Sequence, residues 1–291
     1  MIRDFNYLRA TTVKEALDLL DQHKDDCKII CGGQSILILM RQGLIAPEYL
    51  IDIKQLKELN YIKFDPKSGL KIGATTTHRA IEQSPVVKKN YPILVEMEEN
   101  LATIQTRNWG TIGGNLAHAD PAGDPGPVLM ALNATVKVAS KNKERDIPID
   151  DLFIDYFETV LEEGEFLLEV SVPLVSPKTA TVYEKFNIIK NDQGIVSVAA
   201  SITLDNGQKC KDARIVLGAA APTPKRAKAA EEMIVGHKLD DTLLDQVGQK
   251  ASEEAEPIAD IHASEEYRRS LVKILTERTV KKAWEQAKTL S

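Results

Sequence analysis

The chain is 291 residues long, 43% apolar and 27% charged, and carries a net charge of −6. That length accommodates two or three compact units, and the charge supplies no broad cationic surface for general nucleic-acid or anionic-membrane binding. After a short first strand, Thr12 and Glu15 form a capping box for a helix near Val13–Gln22, with Val13, Ala16, Leu17 and Leu20 at helical spacing. Lys28–Cys31 reads as a strand broken by Gly32-Gly33, Ile36–Met40 as a short helix and Leu50–Ile53 as a strand, together a βαβ-like opening. Farther along, the strand candidates are Leu70–Gly73, Thr135–Ala139 and Phe166–Val172, and the helix candidates Thr77–Gln83 and Ile93–Ala102, the latter placed behind Pro92.

Pro173 and Pro177, with the small polar residues between them, mark a boundary, so we expect one unit over 1–176, with subdomains of about 1–55 and 56–176, and a second over 177–291. Beyond it, Thr181–Ile189, Ile195–Leu204 and Ala213–Leu217 are three β-segments, with a hairpin signal at Asp205-Asn206-Gly207. Helices are expected at Ala227–Val235, Leu239–Ala255 and Tyr267–Lys288. The fold class is α+β. No apolar run is long enough for a membrane span, and Met1–Tyr7 holds no signal-peptide core. Three cysteines, Cys27, Cys31 and Cys210, give neither a disulfide framework nor the four ligands of an iron–sulfur cluster, and they suit a reducing cytoplasm.

Two glycine-rich segments carry chemistry. In Cys31-Gly32-Gly33-Gln34-Ser35-Ile36, glycines behind a strand let the backbone turn tightly, successive N–H groups converge on an anion, and Ser35 adds a hydroxyl donor. In Thr111-Ile112-Gly113-Gly114-Asn115, backbone donors are again exposed, with Thr111 and Asn115 as side-chain partners. Asp124, a little beyond, either accepts from a ribose or ribityl hydroxyl or caps its turn. One such loop is an ordinary tight turn, whereas two in one unit suit a diphosphate. Neither has the G-x-G-x-x-G spacing, and no P-loop is present, which disfavours a doubly wound NAD domain and a nucleoside triphosphatase. His118 and Asp120 lack a third metal ligand nearby, and His78 reads as a capping or surface residue. No acid–base pair or nucleophile stands out, so no catalytic residue and no metal site are assigned.

At these loops the sequence resembles the FAD-binding medium subunit of the xanthine dehydrogenase and carbon monoxide dehydrogenase family of molybdenum hydroxylases. The resemblance covers essentially the whole chain. It runs through Gly32-Gly33-Gln34-Ser35, Gly73-Ala74-Thr75-Thr76, Arg107–Asn115, His118–Asp124, Gly164–Leu168, Gly218–Pro224 and Tyr267-Arg268-Arg269. It implies an FAD-binding domain of the vanillyl-alcohol-oxidase type (the PCMH type) with two subdomains, followed by a domain with three antiparallel strands and helices. It implies FAD as this chain's cofactor, with its diphosphate held by residues 31–36 and 111–115. Leu101 and Ala102 would lie near the isoalloxazine, and Asp124, Thr159, Leu168 and Lys185 would make further flavin contacts. Molybdopterin and [2Fe–2S] clusters would sit on a large and a small partner subunit in a heterohexamer. Electrons would leave to NAD, oxygen, a quinone or another carrier. Family members often carry arginines just before the aspartate at 192, where this sequence reads Asn187-Ile188-Ile189-Lys190. Two rival readings are a stand-alone FAD oxidoreductase and a scaffold subunit with a degenerate flavin site.

Overall fold

The computed structural model describes residues 2–290. Strand β1 (Asn6–Arg9), helix α1 (Val13–His23), β2 (Cys27–Ile30), α2 (Ile36–Gln42) and β3 (Tyr49–Asp52) form the expected opening. Their sheet is parallel throughout, in the order β1-β3-β2. The Thr12 hydroxyl accepts from the Glu15 N–H, while the Glu15 carboxylate reaches back to the N–H and hydroxyl of Thr11. Ala16, Leu17 and Leu20 of α1 pack on Ile51, Phe166 and Leu168.

The second sheet contains β4 (Ile62–Asp65), β5 (Gly69–Gly73), β6 (Thr135–Ser140), β7 (Lys143–Pro148) and β10 (Phe166–Val172), ordered β4-β5-β10-β6-β7 and antiparallel. Between β5 and β6 run α3 (His78–Glu82), α4 (Pro85–Asn90), α5 (Pro92–Asn100), α6 (Ile104–Trp109), α7 (Ile112–His118) and α8 (Pro125–Ala131). A small hairpin, β8 (Phe153–Asp155) with β9 (Glu158–Thr159), precedes β10. Helix α5 stops at Asn100, short of the expected Ala102. Leu101 is extended and Ala102 has φ +43°, a left-handed turn no helix continues through. Pro125 opens α8 at a position where its missing N–H costs nothing.

The third sheet has β11 (Thr179–Phe186), β12 (Val196–Leu204) and β13 (Cys210–Gly218) as an antiparallel meander, plus a fourth strand, β14 (Lys225–Arg226), that the sequence reading missed. Two residues carry too little pattern to be seen. The β12–β13 turn is longer than the expected hairpin, and its left-handed residue is Gln208, with Asp205 accepting from the Lys209 N–H. Helices α9 (Lys228–Ile234), α10 (Asp241–Glu254) and α11 (Glu265–Thr289) cover one face. No helix among the described residues is long and apolar enough to cross a membrane.

The largest core lies between the second sheet and α3–α8, and Ala199 of β12 and Val216 of β13 belong to it. Asp150 pairs with both Arg214 and Arg226 across the same junction.

Candidate cofactor-binding site

The first glycine segment follows β2, at the C-terminal edge of the parallel sheet, where α/β proteins open a crevice for ligands. Gly33 has φ +70°, which turns the chain from strand into α2. None of the N–H groups of Gly32, Gly33, Gln34, Ser35 or Ile36 finds an acceptor among the described residues. The Ser35 hydroxyl makes no capping bond to α2. Five unpaired amides in sequence, with a free hydroxyl beside them, form an anion-binding concavity. A β-carbon on Gly32 would lie 2.3 Å from the Trp109 carbonyl oxygen, so the two glycine segments meet backbone to backbone there.

The second segment differs from the expected loop of exposed donors: it is the start of α7. The N–H groups of Ile112 and Gly113 donate to the Thr76 and Ala74 carbonyls, that of Gly114 to the Thr111 hydroxyl, and that of Asn115 to the Thr111 carbonyl. Its backbone donors are largely satisfied internally. Gly114 is exposed and Asn115 half-buried, while Thr111, Ile112 and Gly113 are buried. Thr111 reaches Cys31, whose thiol is pushed up by burial and partly held down by that hydroxyl.

A third group surrounds the turn at Leu101–Ala102. The buried Arg107 guanidinium donates to the carbonyls of Leu101 (2.6 Å) and Ala102 (2.8 Å) and is paired with Glu82. Lys185 of β11 donates to the Asn100 carbonyl (2.8 Å) and the Asp124 carboxylate (2.9 Å). Asp124 makes no capping bond to α8; its other oxygen accepts from the Tyr183 hydroxyl at 2.5 Å. Burial raises the Asp124 pKa although Lys185 and Tyr183 pull it down, because a carboxylate this enclosed loses most of its water. His78 is no surface residue: it is buried and contacts the wholly buried Glu98 at 3.0 Å, whose pKa burial also raises.

Thr159 lies on β9, which packs against α7. Leu168 is the bulged residue of β10 opposite β6, and its carbonyl accepts from Ala74, the residue that anchors Gly113. Asp120 accepts from the Ala122 N–H within its own turn and from the Gln193 side-chain amide of the β11–β12 loop, and no metal-binding cluster of three or more His, Cys, Asp or Glu occurs among the described residues. Ile188 and Ile189, where the family arginines were expected, are 73% and 66% exposed.

Residues 3–175 match the FAD binding domain in molybdopterin dehydrogenase, and residues 181–283 match the CO dehydrogenase flavoprotein C-terminal domain. The chain belongs to this family. The glyceraldehyde dehydrogenase medium chain of Sulfolobus acidocaldarius is 35% identical over 96% of this chain and 98% of its own. The carbon monoxide dehydrogenase medium chain of Hydrogenophaga pseudoflava is 31% identical over 96% and 97%. A solved carbon monoxide dehydrogenase from the latter organism superposes with a TM-score of 0.94 at 32% identity over 98% of this chain and 99% of that one. Quinoline 2-oxidoreductase from Pseudomonas putida gives 0.92 at 33% over 99% of each. The relatives are subunits of oxidoreductases, and this FAD-binding medium chain is an oxidoreductase subunit of that kind.

The residues present fit FAD, because the unpaired amides of Gly32–Ile36 need an acceptor of the sort a diphosphate provides. Sequence reading missed Arg107 as a support: it stands in the quoted run, yet nothing local reveals that its partners are carbonyls five and six residues earlier. Tyr7, which donates to Asp52, and Lys54, which donates to the Trp109 carbonyl beside the first glycine turn, carried no motif at all.

Proposed function

We propose that this medium chain is the electron-transfer subunit of a molybdenum hydroxylase complex. It takes electrons from [2Fe–2S] clusters on a small subunit, fed by a molybdopterin-binding large subunit, and delivers them to NAD, oxygen, a quinone or another carrier. The observation that carries this reading is the run of five unpaired amides at Gly32–Ile36, braced against the second glycine segment. The relatives support it, since several are medium chains of dehydrogenases and one solved relative is described as lacking the Mo-pyranopterin moiety of the molybdenum cofactor. The protein works in the cytoplasm, as part of a heterohexamer, and its FAD-binding part ends near residue 176.

Bound FAD supplies the exchange of electrons one or two at a time. The amides of Gly32, Gly33, Gln34, Ser35 and Ile36 and the Ser35 hydroxyl bind the diphosphate oxygens. The hydroxyl of Thr111 and the side-chain amide of Asn115 close the other side, with Ile112, Gly113 and Gly114 holding α7 close enough for them to reach. Arg107 fixes the Leu101–Ala102 backbone, and the Asp124–Lys185 pair fixes Asn100, so the turn meant for the ring system is rigid before the cofactor arrives. Thr159 and Leu168 shape the wall behind it, and Cys31, neutral at neutral pH, adds a small apolar contact. No residue of this chain is assigned a proton transfer to substrate.

The test is to purify the chain with whatever co-purifies, denature it and identify the released flavin. About one FAD per chain is expected. A complex that binds none even after FAD addition would leave the scaffold reading in its place. Turnover of an organic substrate by the isolated flavinylated chain would favour the stand-alone oxidoreductase.

A further inference from the structure

A buried titratable pair beside the site plays no part in the function proposed above. His78 opens α3, and Glu98 lies near the end of α5, where its carbonyl accepts from the Leu101 N–H. Their side chains are 3% and 0% exposed. His78 Nδ1 is 3.0 Å from each carboxylate oxygen, but only Oε1 is placed for a hydrogen bond, and Oε2 has no donor at all. The opposite edge of the ring faces the place where the two glycine segments meet. A β-carbon on Gly110 would touch His78 Cδ2 at 3.2 Å and Gln34 Cγ at 3.6 Å. Nε2, bonded to that Cδ2, has no hydrogen-bond partner among the described residues.

We propose that His78 and Glu98 share one proton that responds to the charge of the bound flavin, Glu98 acting as the positioning residue and His78 as the carrier of the charge. This rests on the FAD reading above. A carboxylate with a single donor and no water is costly to keep ionised, so burial holds Glu98 in its acid form while the pocket carries no extra charge. Its O–H then donates to Nδ1, which fixes the neutral ring with its own proton on Nε2, toward the glycine segments.

Electrons reach this subunit from iron–sulfur clusters without protons, so reduction of the flavin adds negative charge to the pocket. That charge draws the shared proton from Glu98 Oε1 to His78 Nδ1. One O–H bond breaks, one N–H bond forms, the pair stays neutral overall and no electron moves within it. The imidazolium stands on the side of the glycine segments and the carboxylate on the side of the core. The other charged groups around the pair lack this freedom. On α3 and α6, Glu82 is held by Arg79 and Arg107. On α8 and β11, Asp124 accepts from both Lys185 and Tyr183. Helix α4 buries only Val87 and leaves Lys88 and Lys89 exposed, as are Glu96 and Glu99 of α5. Asp124 and Glu82 act on Glu98 across the core, each opposing its ionisation.

The experiment is a redox titration of the flavin-loaded protein, purified with its co-purifying chains, in wild-type, Glu98→Gln and His78→Gln forms. It is read at the flavin absorbance and by infrared difference spectra. In wild type, reduction should erase the C=O band of one protonated carboxylic acid, a change absent from the difference spectra of both variants. Each variant should favour the oxidised flavin about tenfold more than wild type does, a shift of ~30 mV to more negative potential for two electrons. Variants that keep the wild-type potential overturn this inference, as does a wild-type spectrum in which reduction leaves every carboxylic acid band in place. In either case one FAD per chain leaves the flavoprotein reading standing. No FAD binding at all removes both readings together.

Discussion

A single methyl group tests the closest approach in the site. On Gly32 it would sit 2.3 Å from the Trp109 carbonyl oxygen and 2.8 Å from the Gly110 α-carbon, and both are backbone atoms that cannot swing aside. Gly32→Ala should therefore push the two glycine segments apart, lower stability by about 1–3 kcal/mol as overpacked sites do, and strip flavin from the purified complex. Flavin content and urea denaturation read both effects; retention of full FAD would remove the close approach as a requirement. Glu98 offers a second test. It is wholly buried, and burial raises its pKa. Ionising it costs more in the folded protein than in the unfolded chain, so its stabilising contribution is present at low pH and lost as pH rises through the raised pKa. Glu98→Gln, which does not ionise, should thus gain melting temperature relative to wild type as pH rises above the ordinary carboxylate range, with His78 still hydrogen-bonded. At this scale the sequence announced the glycines, because positive φ and close approach leave a residue-level mark. It concealed the partners of Arg107, Lys54 and His78, which depend on contacts made by folding; for His78, nothing in Thr77-His78-Arg79 signals a carboxylate twenty residues away.

Helices α10 and α11 pack where Gly248 leaves room: an added β-carbon would meet the Glu277 side chain at 2.6 Å and the Lys273 carbonyl at 2.9 Å. Alanine is the better helix former by about 1 kcal/mol, yet the backbone contact cannot yield cheaply, and overpacking of about 1–3 kcal/mol should win. Gly248→Ala is expected to lower the melting temperature, whereas the same change on an open helix face would raise it. On α11, the buried Thr279 hydroxyl has no hydrogen-bond partner. Thr279→Val removes an unsatisfied group at nearly constant shape and should raise stability by about 1 kcal/mol, measured by urea unfolding. Legibility among elements followed length only in part, since α2 and α3, seven and five residues long, were read as well. The 11 residues of α1 and the 25 of α11 repeat their pattern often enough to be read, the latter within two residues at each end. Helices α4, α6, α7 and α8 span six or seven residues, fewer than two turns, and went unseen. In α7 the glycines that signal a binding turn also disguised a helix.

Across the molecule, the two segments that match separate families share structure. Ala199 and Val216 complete the core beneath α3–α8, and Asp150 reaches Arg214 at 3.4 Å and Arg226 at 3.2 Å. Asp150→Asn should cost about 1 kcal/mol, the scale of a half-exposed ionic network, and shift one common transition instead of splitting it in two. Far-UV circular dichroism and Trp284 emission, which reports on α11 alone, should move together. The α+β class and the order of sheets were readable from pattern and resemblance, since each sheet is announced by its own strands. Their junction was not, because no periodicity marks which apolar residues of β12 and β13 face a neighbouring layer.

Lys185 gives that junction a meaning for anyone who cuts the gene. It belongs to the second segment, yet it alone joins the Asn100 carbonyl to the buried Asp124 of the first. A fragment ending at the proline-rich linker would keep every glycine of the binding loops and still lose its counter-ion, leaving Asp124 to take up a proton or draw in water. The linker is a seam in ancestry and not in autonomy. Swapping the second segment for that of a relative should succeed only where the incoming strand brings a lysine to the same rung.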